Sequence, residues 1–140
     1  MEKRVLSRMF TFDAAHRITS HPGKCRSLHG HTWRVEIRVE GSIDPKTGMV
    51  MDFFDLGRIG KTLFEATWDH SAILAKWDPL VAVCQEIQSR LVLVEQEPTS
   101  ETLAGVVRDY FQRYLPLEIR LVSVRLWETS NCSAEVVLEA

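Results

Sequence analysis

Apolar and polar side chains alternate, imperfectly, from Lys3 to His16 and again from His31 to Glu40, where Gly41 ends the run. A period of two sends successive side chains to opposite faces, so each stretch predicts a half-buried strand and the two together an antiparallel pair. Between them lies a connection of about 14 residues carrying Pro22, Gly23 and Cys25, long enough to suggest a functional loop. Turn residues crowd Gly41 to Gly48, and Met49 to Phe53 returns apolar as a short extended approach.

From Asp55 to Trp68 the period changes. Leu56, Ile59, Leu63, Phe64 and Thr67 share one side and Arg58, Lys61 and Glu65 another, which predicts an amphipathic helix that breaks at Trp68-Asp69-His70-Ser71. A short helix is expected from Asp78 or Pro79 to about Gln88, then a strand at Leu91-Val92-Leu93-Val94. Pro98-Thr99-Ser100 reads as a helix start, with a hydroxyl to cap free amides and Glu101 near the positive end. That helix runs to about Tyr114 and buries Leu103, Val106, Val107, Tyr110 and Phe111. Ile119 to Glu128 alternates as a long strand, paired across Ser130-Asn131-Cys132 with Ala134 to Leu138. Two strands, helices, then two strands predict one α+β domain over residues 1–140, an antiparallel sheet with helices on one face. Its unpaired edges are a hazard that a symmetric oligomer removes.

Composition narrows the classes. The 140 residues suffice for a single core, and 45% apolar with 26% charged residues is ordinary for a soluble globular chain. A net charge of −2 and a pI near 6.2 leave no polybasic footprint, which excludes nucleic acid as the expected partner but not a nucleotide-like small molecule. No apolar run approaches a membrane span, and Met1-Glu2-Lys3-Arg4 leads into a strand instead of a signal-peptide core, so a cytoplasmic protein is expected. Three cysteines, Cys25, Cys84 and Cys132, suit free thiols in a reducing compartment, with Cys84 packed in its helix.

The chemistry concentrates in Lys24-Cys25-Arg26-Ser27-Leu28-His29-Gly30-His31. Two histidines one residue apart on an extended backbone face the same way and converge. Gly30 between them permits close approach, Cys25 lies four residues upstream of His29, and His16 ends the neighbouring strand as a third imidazole. Zinc suits such a set, and three imidazoles leave its fourth position open, the pattern of a catalytic site. Two other readings stay open: Cys25 closes the position and makes the site inert, or the histidines are core residues without metal. His21, before Pro22-Gly23, reads as a solvated turn residue.

Phe12-Asp13-Ala14-Ala15-His16, Cys25-x-x-x-His29-Gly30-His31, Asp52-Phe53, Asp69-His70, Pro98-Thr99-Ser100-Glu101 and Glu128-Thr129 stand in a familiar order and approximate spacing. From about residue 10 to residue 132 the chain resembles the 6-pyruvoyl-tetrahydropterin synthase family. Three residues between Cys25 and His29 make it most similar to the bacterial branch, the 6-carboxy-5,6,7,8-tetrahydropterin synthases of queuosine biosynthesis. The resemblance implies the tunnelling fold, in which trimers close a barrel and two trimers stack into a homohexamer with sites between subunits. It also implies Zn2+ on His16, His29 and His31, and 7,8-dihydroneopterin triphosphate as substrate. The implied products are 6-carboxy-5,6,7,8-tetrahydropterin, acetaldehyde and triphosphate. Triphosphate elimination to the pyruvoyl product, or a zinc- or pterin-binding module without catalysis, are the alternatives.

Roles follow residue by residue from the same resemblance. Cys25 is the expected general base at the side-chain carbon, against a zinc ligand or a packed small hydrophobe. Asp69 and His70 assist proton transfer, against a turn cap and a helix-dipole partner. Glu128, beside Thr129, accepts hydrogen bonds from the pterin amino and ring N–H groups, against a solvated strand end. Thr99, Ser100 and Glu101 contact the pterin or only cap a helix. Lys24, Arg26 and Arg17 are triphosphate candidates by charge or solvated loop residues. One departure is visible: many relatives carry a tyrosine a few residues after the Glu-Thr pair, where this chain has Val136.

Overall fold

The alternation at the start of the chain becomes a long antiparallel ladder. In the structure, a computed structural model that describes residues 2–140, β1 (Lys3–His16) pairs with β2 (His29–Ser42) from Lys3 opposite Ser42 to His16 opposite His29. Next come α1 (Phe53–Leu63), which runs on into one turn of π-helix (Phe64–Trp68), and β3 (Ser71–Ala75). The chain continues through α2 (Leu80–Glu86), β4 (Leu91–Val94), α3 (Ser100–Tyr114), β5 (Arg120–Thr129) and β6 (Cys132–Val137).

These strands form one six-stranded sheet in the order β4-β3-β1-β2-β5-β6. The pairs β1–β2, β2–β5 and β5–β6 are antiparallel, as expected. On the other side β3 runs parallel to β1, over Ala14 to His16 only, and β4 runs parallel to β3. The strand Ser71–Ala75 is absent from the sequence reading for a physical reason. All five of its residues are buried, so both faces are covered and no polar alternation marks it.

Helices cover one face. Phe10, Phe12 and Ala14 of β1 and Trp33, Val35, Ile37 and Val39 of β2 form the core with Leu56 and Phe64 and with Leu103, Ala104, Val107 and Phe111 of α3. Phe12 links the layers: its ring stacks on Trp33 at 6.0 Å and on Phe64 at 5.5 Å. Helix α1 starts at Phe53, earlier than its periodicity suggests, because the Asp52 carboxylate accepts the Phe54 N–H at 2.8 Å. Thr99 caps α3 as expected, accepting the Thr102 N–H at 3.1 Å. Cys84 is buried on α2 and packs with Ala72 and Leu74.

Contact between α1 and the sheet is close at Gly60, where a Cβ would overlap the Phe10 ring. Gly60→Ala is therefore expected to destabilise the fold by about 1–3 kcal/mol, read as a lower urea midpoint. An unchanged midpoint would mean that the helix stands off the strand.

Candidate functional site

Strand register assembles the site. His16 ends β1 directly opposite His29 at the start of β2, and His31 lies opposite Ala14. Because side chains alternate, His16 falls on the face of Phe12 and Ala14, and His29 and His31 on the face of Trp33. The three rings meet at one end of the sheet, with centroids 4.6 Å apart for His16–His29, 5.2 Å for His16–His31 and 5.0 Å for His29–His31. Fully buried Trp33 closes the core side, edge-on to His16 at 4.9 Å and to His31 at 5.3 Å. Its indole N–H donates to the Ala14 carbonyl at 3.1 Å.

Hydrogen bonds settle the ring orientations. The Nδ1 of His16 lies 2.7 Å from the Pro98 carbonyl oxygen, and the Nδ1 of His29 lies 2.7 Å from that of Ser27. A carbonyl only accepts, so Nδ1 carries the proton in both rings and Nε2 presents a lone pair. Among the described residues, the buried Nε2 of His16 has no hydrogen-bond partner, and the buried Nε2 of His31 faces only the Glu128 carboxylate. Buried polar atoms are rarely left so, and a cation would satisfy both. Burial holds both imidazoles below their usual titration range, outweighing the pull of the Glu128 carboxylate. Neutral rings are what a metal requires.

Glu128 arrives from β5. Its Oε1 lies 3.1 Å from His31 Nε2 and 4.0 Å from His16 Nε2, while Oε2 accepts the Ser100 hydroxyl at 3.1 Å. One donor atom from each of His16, His29, His31 and Glu128 lies within 4.8 Å of all the others, so this group can hold a metal ion. Sequence reasoning missed that Glu128 stands beside the imidazoles. The available signal was its two-residue offset from buried Leu126, which puts it on the core face of β5.

Other expected residues lie apart from this group. Cys25 is half-buried in a 3-10 turn (Lys24–Arg26), its sulfur outside the metal-capable set. Asp69 and His70 pair with each other, His70 Nδ1 standing 2.9 Å from Asp69 Oδ2. They also grip β1: the Asp13 N–H donates to Asp69 Oδ1 at 2.8 Å, and the His70 N–H to the Asp13 carbonyl at 2.6 Å. The Asp13 N–H, then His70, hold the Asp69 carboxyl below its usual range. The His70 backbone is left-handed, with φ of 61°, a costly state for a side-chain-bearing residue and one that concentrates at working sites. The π-helical turn just before it is likewise a feature found mostly at functional positions. Asp13 points away from the core face, and there a shallow pocket lined by Asp13, Gly30, His31, Thr32 and His70 opens.

Thr99 serves as the α3 cap, and Glu101 is exposed in the first turn. Thr129 is exposed and its hydroxyl oxygen accepts the Asn131 N–H at 3.3 Å in the β5–β6 turn. Arg17 is not a free cation: its Nε–H donates to buried Asp78 at 2.7 Å. Lys24 and Arg26 are exposed, and the His21 Nδ1 accepts the Gly23 N–H at 2.8 Å.

A mixed sheet with helices on one face and three imidazoles gathered at one end defines a tunnelling-fold chain with a metal-capable centre. The model of the 6-pyruvoyl tetrahydropterin synthase family matches residues 5–139. A 6-carboxy-5,6,7,8-tetrahydropterin synthase of Rickettsia conorii is 32% identical, covering 93% of this chain and 97% of that protein. The protein of that name from Haemophilus influenzae is 31% identical over 93% of this chain and 96% of its own. An uncharacterized protein from Wolinella succinogenes superposes with a TM-score of 0.81 at 24% identity, over 99% of this chain and 100% of that one. The Caenorhabditis elegans 6-pyruvoyl tetrahydropterin synthase superposes with a TM-score of 0.74 at 22% identity, over 99% of this chain and 98% of that one. The chain belongs to the 6-pyruvoyl tetrahydropterin synthase family.

Because His16 and His31 bind protons less readily folded than unfolded, acid favours the unfolded chain. Stability of the metal-free protein is therefore full above the ordinary imidazole value of about 6.5 and is lost as the pH falls below it. Urea midpoints in chelator at about pH 7.5 and about pH 5.5 check this, and equal midpoints would contradict it.

Proposed function

We propose that the protein is a zinc-dependent carbon–carbon lyase of queuosine biosynthesis in the cytoplasm. It converts 7,8-dihydroneopterin triphosphate to 6-carboxy-5,6,7,8-tetrahydropterin, with release of acetaldehyde and triphosphate. The observation that carries this reading is the convergence of three imidazoles and the Glu128 carboxylate on one point, with the Nε2 atoms of His16 and His31 buried there. The choice of product is supported by relatives at 31–32% identity that bear the carboxy-forming name.

His16, His29 and His31 are the proposed zinc ligands, since neutral imidazole suits that ion and the second ring nitrogen is already fixed by a backbone carbonyl on His16 and His29. When bound, zinc supplies positive charge that eases loss of protons from the substrate's hydroxyl-bearing side chain. Cys25 takes the proton from carbon. The Asp69 carboxylate orients the His70 imidazole, which passes protons at the same side chain. Glu128 accepts from the pterin amino and ring N–H groups, held by the Ser100 hydroxyl, with Thr99, Glu101 and Thr129 around the ring.

Asp69 and His70 lie against the edge of β1 at Asp13, outside the metal-capable group, and they are proposed to serve the site of a neighbouring subunit in a hexamer of two trimers. Support for assembly comes from the sheet itself. Strand β1 meets β3 only at Ala14 to His16, which leaves a long edge free before them among the described residues.

Zinc-loaded protein incubated with 7,8-dihydroneopterin triphosphate should yield acetaldehyde together with triphosphate. Triphosphate alone would indicate elimination, and unchanged substrate a binding module. Cys25→Ala is expected to cut turnover by about 100-fold or more with zinc content kept, and loss of zinc would make Cys25 a ligand instead. His70→Ala should lower kcat far more than it raises KM; an equal effect on both would remove it from proton transfer. Glu128→Gln should raise KM about tenfold or more with zinc retained, whereas loss of zinc would assign that carboxylate to the metal.

A further inference from the structure

Two carboxylates that the proposed chemistry leaves unused tie down the loop that carries Cys25. Asp78, buried at the approach to α2, holds Arg17 at the loop's start and also accepts the Leu80 N–H at 2.9 Å. Glu97, between β4 and α3, accepts three hydrogen bonds from the loop. They come from the Thr19 hydroxyl at 2.7 Å, the Ser20 N–H at 3.0 Å and the Ser20 hydroxyl at 3.0 Å. Burial works against the Glu97 charge, but these donors outweigh it and hold the carboxyl below its usual range.

The anchored stretch is the one that grips Cys25. Between Arg17 and Thr19, the Ile18 N–H donates to the Cys25 carbonyl at 2.8 Å, and the His21 N–H returns to the Ile18 carbonyl at 3.1 Å. On the other side of the clamp, Pro98 follows Glu97 and takes the His16 Nδ1–H. The Glu97 carbonyl itself accepts the N–H of Thr99, the α3 cap, at 2.8 Å. Consecutive residues thus orient a proposed zinc ligand and restrain the loop of the proposed base.

We propose that Glu97 is a positioning residue that fixes the Cys25 thiol relative to the three imidazoles, through its hydrogen bonds to Thr19 and Ser20. This inference rests on Cys25 acting as the base. Its mechanical part, restraint of the loop, does not need turnover to be seen. Removing a positioning contact lets the reacting groups stray, which lowers the rate of chemistry more than it weakens binding.

The test uses zinc-loaded Glu97→Ala, with Thr19→Val as a second variant that removes one hydrogen bond from the loop side should the first fail to fold. Iodoacetamide labelling of the Cys25 peptide, read by mass spectrometry, reports loop restraint directly. Labelling should quicken about tenfold in Glu97→Ala and less in Thr19→Val, with zinc content and thermal midpoint near those of the parent. In the same variants kcat should fall about 10- to 100-fold with little change in KM, and Glu97→Gln, which keeps one acceptor oxygen, should recover part of it. Labelling within about twofold of the parent in both variants would overturn the proposal, as would loss of zinc. If the parent releases no acetaldehyde, the reading of the reaction fails while labelling still decides the restraint.

Discussion

The pairing register of β1 against β2 is the constraint on which the rest depends. His16 opposite His29, with His31 two residues on, gathers three imidazoles only in that alignment. A slip of one residue would turn one strand's histidines to the other face, together with Phe10, Phe12 and Ala14 or with Trp33, Val35, Ile37 and Val39. The core that forbids the slip is therefore what protects the site. Metal-capable geometry is inherited from packing, and Trp33 belongs to both, filling the core beneath the rings it touches edge-on.

That arrangement has a cost. The His16 Nε2 is buried without a partner and the His31 Nε2 meets only a carboxylate, and both rings resist protonation because burial disfavours their charge. A purely structural protein has no use for such a cluster at the end of its sheet. The groups around it tell the same story in other terms: a left-handed backbone at His70, a π-helical turn before it, and carboxylates at Asp78 and Glu97 that hold a loop without contributing to the core. Departures from ordinary local structure gather on the segments that leave the metal-capable end of the sheet. Rigid strands supply the imidazoles and Glu128, and irregular connections carry Cys25, Asp69 and His70.

Much was legible in the chain because the signals are short-range. Alternation over a few residues marked β1, β2, β5 and β6, helical spacing marked α1 and α3, and Thr99 marked its own cap. The convergence of His29 and His31 needs only the two-residue repeat of a strand, and His16 joins them once β1 and β2 pair. Family motifs spread along the chain carried the fold and the class of chemistry.

Tertiary structure decided the rest, and in each case the deciding contact spans a long stretch of chain. β3 is buried on both faces, so nothing in its own five residues separates it from any apolar segment. Arg17 reads as a free loop cation until Asp78, 61 residues away, claims it. Nothing in the residues around Glu97 marks it, and only the fold brings it to Thr19, 78 residues away. Glu128 is expected as a pterin-binding carboxylate, and only when β5 lies beside β2 does it also come to His31. Periodicity records which way a residue faces along its own element, whereas its partner across the fold is set by the packing of the whole chain.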